Sequence, residues 1–174
     1  MAQHIFQHHS NHIYDEAGKF QTVDTLINGE QKDLWNQIMS NELGRLAQGN
    51  DAGVKSNDCI DFIHNWDVPN YRKATYENFV SDYWTLKSDK YRIRLVVGGE
   101  KLDYALKDGS PADYMLETKL LVNIVISDAK EVYRFMRCDI KDFFLCTTMD
   151  TSECIWIPYK YFPEDIRKQY NPKE

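Results

Sequence analysis

The stretch Met136-Arg137-Cys138-Asp139-Ile140-Lys141-Asp142-Phe143, followed by Phe144 and Leu145, is the part of this chain best suited to chemistry. It reads as a strand that delivers one carboxylate, Asp139, to its end, where a tight turn or short helix begins. A carboxylate at the rim of a sheet can reach a divalent metal. A bulky ring five residues on, Phe144, can test the sugar of an incoming nucleotide. The same pattern has bland readings. A strand-end Asp also caps helices or faces solvent, Phe144 also fits a plain core, and Asp142 also fits a surface carboxylate.

A second group lies upstream, in Tyr91-Arg92-Ile93-Arg94-Leu95-Val96-Val97. Strand geometry puts Arg92 and Arg94 on one face, with Ile93 and Leu95 on the other. Guanidinium binds phosphate in a bidentate fork, so the pair suits a nucleotide. It suits equally an edge strand whose charges discourage aggregation. Other signals are weaker. His4, His8, His9 and His12 offer helical spacing for zinc, yet no Cys-x-x-Cys completes a four-ligand site. The Ser127-to-Lys130 and Asp150-Thr151-Ser152 spellings lack the partners that their enzyme classes need.

The elements that must position these residues can be read from periodicity and breakers. Residues 1–29 are polar and His-rich and read as a poorly ordered or irregular lead-in. Leu34, Trp35, Ile38, Met39, Leu43 and Leu46 recur at helical spacing, which predicts a helix over 31–47 stopped by Gly49-Asn50. Residues 49–58 are a loop by composition, and 59–63 form a short strand candidate. From Thr75 the pattern becomes β. Strands around 79–84 and 91–97, the second ended by Gly98-Gly99, make a hairpin candidate. The run 116–126 is apolar almost all round and predicts a buried helix. Strands are expected over 133–140 and 155–158, and Pro163 opens a last helix through Tyr170.

A chain of 174 residues with 43% hydrophobic and 13% aromatic content can fold around one real core. Its net charge of −6 counts against a generic nucleic-acid-binding module, which would be basic. The charge is uneven, however. Residues 71–107 carry eight Lys and Arg against five acids, which fits a local phosphate site or an ordinary mixed surface. No apolar run approaches the ~18 residues of a membrane span. The N-terminal segment lacks the basic start and apolar block of a secretory signal. A cytoplasmic protein with no membrane partner is the expectation, and its four cysteines read as free, mostly buried thiols.

Taken in order, four segments resemble the reverse transcriptase domain of copia-type LTR retrotransposons. Trp35 followed by Met39-x-x-Glu42-Leu43 resembles the opening segment of that family. Tyr91 to Gly99 resembles its Lys/Arg-x-Arg-Leu-Val-x-x-Gly strand. Leu102-Asp103-Tyr104, Gly109-Ser110-Pro111-Ala112 and Thr118-Lys119-Leu120-Leu121 resemble its Asp-Tyr and Ser-Pro block. Asp139-Ile140-Lys141-x-x-Phe144-Leu145 resembles its Asp-Val-Lys-x-x-Phe-Leu motif.

The resemblance implies an α+β fold: fingers and part of the palm of a right-hand polymerase, over 30–174, with a mixed or antiparallel sheet and packed helices. It implies RNA-directed DNA synthesis with Mg²⁺, for which Mn²⁺ can substitute, on an RNA template, a DNA primer and deoxynucleoside triphosphates. Asp139 matches the first of three metal-binding carboxylates, and the carbonyl of Ile140 would add a ligand. The amides around Asp142 and Phe143 would face the triphosphate. Phe144 matches the ring that crowds a 2′-hydroxyl, and Arg92 and Arg94 are the triphosphate candidates. The Tyr-x-Asp-Asp turn that supplies the other two carboxylates occurs nowhere in these 174 residues.

The expectation is therefore a truncated domain without polymerase activity by itself and with weak metal binding. Marginal stability, self-association through unpaired palm edges or partial disorder should accompany it. The rival expectation is a non-enzymatic RNA- or protein-binding module derived from a retroelement. A third is a pseudogene product without function.

Overall fold

The hydroxyl of Thr22 accepts a hydrogen bond from the Thr25 amide at 3.4 Å and opens helix Val23–Ile27 (α1), as an N-cap does. Five residues are too few to hold a helix by propensity. Packing holds it instead, because Val23, Leu26 and Ile27 are all buried. The segment read as an irregular lead-in thus supplies part of the core. The computed structural model describes residues 12–99, 115–127, 142, 145 and 152–172.

Helix Lys32–Leu46 (α2) agrees with the helix expected over 31–47. Its buried seam is Trp35, Met39 and Leu43, each 1% exposed or less. Leu34, counted with the apolar stripe, is exposed, so the seam is narrower than the sequence pattern. The helix ends where Gly49 turns to φ 99° and its amide bonds back to the Gly44 carbonyl at 2.8 Å. A Cβ on Gly44 would lie 2.9 Å from the Gly49 oxygen, so this close return needs glycine there. Residues 59–63, expected as a strand, join no sheet. The amides of Cys59 and Ile60 donate to the Leu46 carbonyl at 2.8 and 3.1 Å. These backbone donors cap α2 rather than build a ladder. Of the four cysteines expected as mostly buried thiols, Cys59 is exposed and Cys154 half-buried, while Cys138 and Cys146 lie outside the described residues.

Strands Thr75–Tyr83 (β1) and Tyr91–Val97 (β2) form the expected antiparallel hairpin, with Phe79 opposite Leu95 and Ser81 opposite Ile93. The short strand Ile155–Trp156 (β3) lies parallel to β1, with Tyr76 opposite Trp156. The order β2-β1-β3 makes a mixed sheet within an α+β fold. Its inner face carries Thr75, Phe79, Ser81, Ile93 and Leu95. By alternation, its outer face carries Tyr76, Asn78, Arg92, Arg94, Val96 and Trp156. Helix α2 packs along β2 on the inner side.

The chain divides into two compact units, Met1–Leu102 with Leu145–Glu174, and Asp103–Phe144. All elements named so far belong to the first. Helix Met115–Ser127 (α3) belongs to the second and agrees with the helix expected over 116–126. Its expected burial is not found. Leu116, Leu120, Leu121, Ile124 and Ile126 are 52–69% exposed. Only Val122 and Val125 are half-buried among the described apolar residues of this helix. A run that is apolar on every side says that cover is needed; it does not say that this chain supplies it. The strand expected over 133–140 lies outside the described residues.

The C-terminal segment closes the core of the first unit. Pro163 stands at the N-cap position of helix Glu164–Tyr170 (α4), and Asn171, at φ 47°, ends it in a left-handed cap. Ile166 and Phe162 pack with Val23, Leu26, Ile27, Trp35, Met39, Leu43 and Ile93 in one cluster. Polar ties fix the docking. Ser40 donates to Asp165, Asn50 donates to Ser40 at 2.9 Å, and the Tyr170 hydroxyl donates to the Gly49 carbonyl at 2.5 Å.

Asp24 on α1 takes an ion pair from Lys160 at 2.7 Å and a hydrogen bond from Tyr161 at 2.9 Å. The hydrogen bond from Lys160 holds the Asp24 carboxyl below its ordinary range. Burial, followed by the bond to Asp24, pushes the Tyr161 phenol up. A depressed carboxyl stabilises the fold above its unfolded value of about 4. That contribution is lost as pH falls through the lower folded value. A raised phenol stabilises the fold below its unfolded value of about 10 and loses that contribution as pH rises through the folded value. Asp24→Asn is therefore expected to flatten the acid limb of the melting profile. Wild type and variant should differ at neutral pH and converge in acid, as read by circular dichroism melts.

Candidate functional site

Of the expected site residues that the structure describes, Arg92 and Arg94 lie on the outer face of the β1–β2 hairpin. Ile93 is 3% exposed on the inner side, and this anchors the alternation that turns Arg92 and Arg94 outward. On the inner side Trp35 of α2 meets the Tyr91 ring edge-on, with centroids 5.4 Å apart. Tyr91 in turn faces Tyr83 across the hairpin at 5.0 Å. Glu42 of α2, itself nearly buried, accepts a hydrogen bond from the Leu95 amide at 3.3 Å and pairs with Arg45 at 2.9 Å. The arginine-bearing strand is thus held from beneath by one aromatic contact and one carboxylate.

The two arginines have different surroundings. Arg94 reaches diagonally across the hairpin, and its Nη2 lies 2.5 Å from Oδ2 of Asp82. The Asp82 side chain is only 7% exposed, so Arg94 neutralises a nearly buried charge. Arg92 stands opposite Asp82 in the register. It is exposed, and its side chain makes no hydrogen bond or ion pair among the described residues.

Asp142 is half-buried in a turn and has φ 56°. Aspartate tolerates this left-handed conformation better than most residues. A turn at this position agrees with the turn expected after the strand. Asp139, Ile140, Phe143 and Phe144 lie outside the described residues. Of the predicted site, Arg92 and Arg94 share a face, and Asp142 belongs to the second unit.

Protein-family models, curated proteins and solved structures offer no match to this chain. Among the described residues no group of three His, Cys, Asp or Glu side chains could hold a metal ion. No helix among them is long and apolar enough to cross a membrane.

Two features of this face escape a reading by composition. Asp82 looks like one acid among several until the register sets it opposite Arg92 and diagonal to Arg94. The acid before the hairpin loop and the basic pair after it are the signal that could have found it. Tyr76 and Trp156 are far apart in sequence, yet they are register partners on neighbouring strands, 43% and 53% exposed. A Cβ at Gly98 would run into the Tyr76 ring, so the glycine there is what lets the ring lie across the strand end.

Proposed function

We propose that this chain carries the fingers and first palm segment of a copia-type reverse transcriptase domain and has no polymerase activity by itself. The four ordered segments of family resemblance carry this reading. It is supported by an α+β fold whose antiparallel hairpin holds Arg92 and Arg94 outward over a buried inner face. In this reading Asp139 and the Ile140 carbonyl are the remnant of a metal site. Asp142, Phe143 and Phe144 belong to a nucleotide pocket, and the protein is cytoplasmic and self-associates through unpaired strand edges. The residues present do not fit a two-metal centre. One family carboxylate cannot hold two Mg²⁺ ions against their hydration, since Mg²⁺ dehydrates reluctantly.

The test is primer extension on poly(rA) with an oligo(dT) primer, dTTP and Mg²⁺. No extension above background is expected, and Asp139→Asn should change nothing. Extension that Asp139→Asn abolishes would overturn the inactive reading.

A second reading, a metal-independent single-strand binding module, is favoured by one observation. Tyr76 and Trp156 expose adjacent rings on the same sheet face as Arg92, a combination that suits base stacking beside phosphate. Gel shift of single-stranded RNA that survives both chelation and Asp139→Ala, with a measurable salt slope, would select it.

A further inference from the structure

Sequence alone gives Arg92 and Arg94 equal standing as phosphate ligands. Their surroundings do not. Arg94 is committed to Asp82, whose side chain is 7% exposed, and pulling it away would strand a nearly buried carboxylate. Arg92 carries no such commitment.

One more cation joins it. The Trp84 amide donates to the Lys90 carbonyl at 2.7 Å, so the hairpin ladder runs one rung past the end of β2. Alternation then sets Lys90 on the face of Arg92. Lys90 is exposed, and its side chain, like that of Arg92, makes no hydrogen bond or ion pair among the described residues. Two residues along a strand separate their backbones by about 7 Å, which two long side chains can close onto one anion. The other charges of the hairpin tip are Lys87, whose ammonium lies 4.6 Å from the Trp84 ring centroid, and the exposed Asp89.

We propose that Lys90 and Arg92, and not Arg94, form a site for adjacent phosphates on the outer face of the β1–β2 hairpin. Asp82 acts as a positioning residue that withdraws Arg94 from the site. The assignment rests on the nucleotide-handling reading for its biological ligand, but its chemistry requires only a polyanion with neighbouring phosphates. Both a nucleoside triphosphate and a nucleic-acid backbone supply that.

The experiment titrates the intact chain with sodium tripolyphosphate at low salt, by calorimetry. Wild type should bind with a dissociation constant on the order of millimolar or tighter. Lys90→Ala and Arg92→Ala should each weaken binding about tenfold, with unchanged melting midpoints because both side chains are exposed. Arg94→Ala leaves Asp82 unpaired and can unfold the hairpin. The double variant Asp82→Asn with Arg94→Gln, which keeps a hydrogen bond and removes both charges, is therefore the informative one. It should bind within about twofold of wild type.

Absence of binding by wild type overturns the site, as does a double variant that loses as much affinity as Arg92→Ala. Competition then names the source. Displacement by dTTP alone assigns a free triphosphate, and displacement by a single-stranded oligonucleotide assigns the backbone. Tripolyphosphate binding through Lys90 and Arg92 that neither ligand displaces upholds the anion site and overturns the nucleotide reading instead.

Discussion

Ile166→Ala is expected to lower the stability of the first unit by about 3 kcal/mol and its melting midpoint by about 10 °C. The residue is the lone aliphatic side chain in Glu164–Tyr170, a helix otherwise made of charged and polar residues and one tyrosine. Yet it is 0% exposed. It enters the core beside Phe162, and Phe62 touches the rings of Phe162 and Tyr170 at 5.3 and 5.0 Å. The hydrogen bonds of Asp165 and Tyr170 hold α4 down on α2 and its terminal loop, so the site cannot collapse freely once the side chain is cut back. The control is Ile124→Ala on α3, where the side chain is about half exposed. That change should stay within about 0.5 kcal/mol. Urea unfolding of both variants checks the contrast, and equal effects would mean that the C-terminal helix does not close this core.

The legible parts of this fold are those whose signal is local and periodic. Trp35, Met39 and Leu43 announce α2 because four-residue spacing has one structural meaning over fifteen residues. Alternation from Tyr91 to Val97 announces β2, and Pro163 announces α4. The illegible parts depend on partners distant in sequence. Helix α1 spans five residues, too few for a period, and exists because the C-terminal segment covers it. Residues 59–63 have strand composition, but Leu46 offers their amides a carbonyl before any strand does. The parallel pairing of β3 to β1 joins residues about eighty positions apart, a separation that no local pattern encodes.

The candidate site divides the same way. That Arg92 and Arg94 share a face follows from strand period alone, and the structure agrees. That they differ in availability does not follow, because it depends on Asp82 across the hairpin and on the register that places it. The face that Lys90 occupies does not follow from the sequence for the same reason. Lys90 precedes the strand by composition, and only the hydrogen bond from Trp84 extends the ladder to include it. Apolar character overstates burial at Leu34 and, more widely, along Leu116 to Ile126, a run that correctly marks a helix.

Trp35→Ala is expected to destabilise the first unit by about 4 kcal/mol, a large share of the 5–15 kcal/mol typical of a small domain. Trp35 is 1% exposed, and its ring meets Tyr91 edge-on at 5.4 Å. Tyr91 stands between Lys90 and Arg92 on the opposite face of the strand, so loss of the indole removes the support beneath both cations. The variant should therefore lose stability and tripolyphosphate affinity together, even when titrated well below its midpoint. Trp35→Phe keeps an aromatic edge contact and should recover part of each. Arg92→Ala, by contrast, should lose affinity with its midpoint unchanged. The two measurements made on one set of variants separate support of the strand from contact with the anion. A Trp35→Ala protein as stable as wild type would mean that α2 does not pack beneath β2. One that is destabilised yet binds tripolyphosphate normally would mean that the hairpin orients its cations without help from the helix.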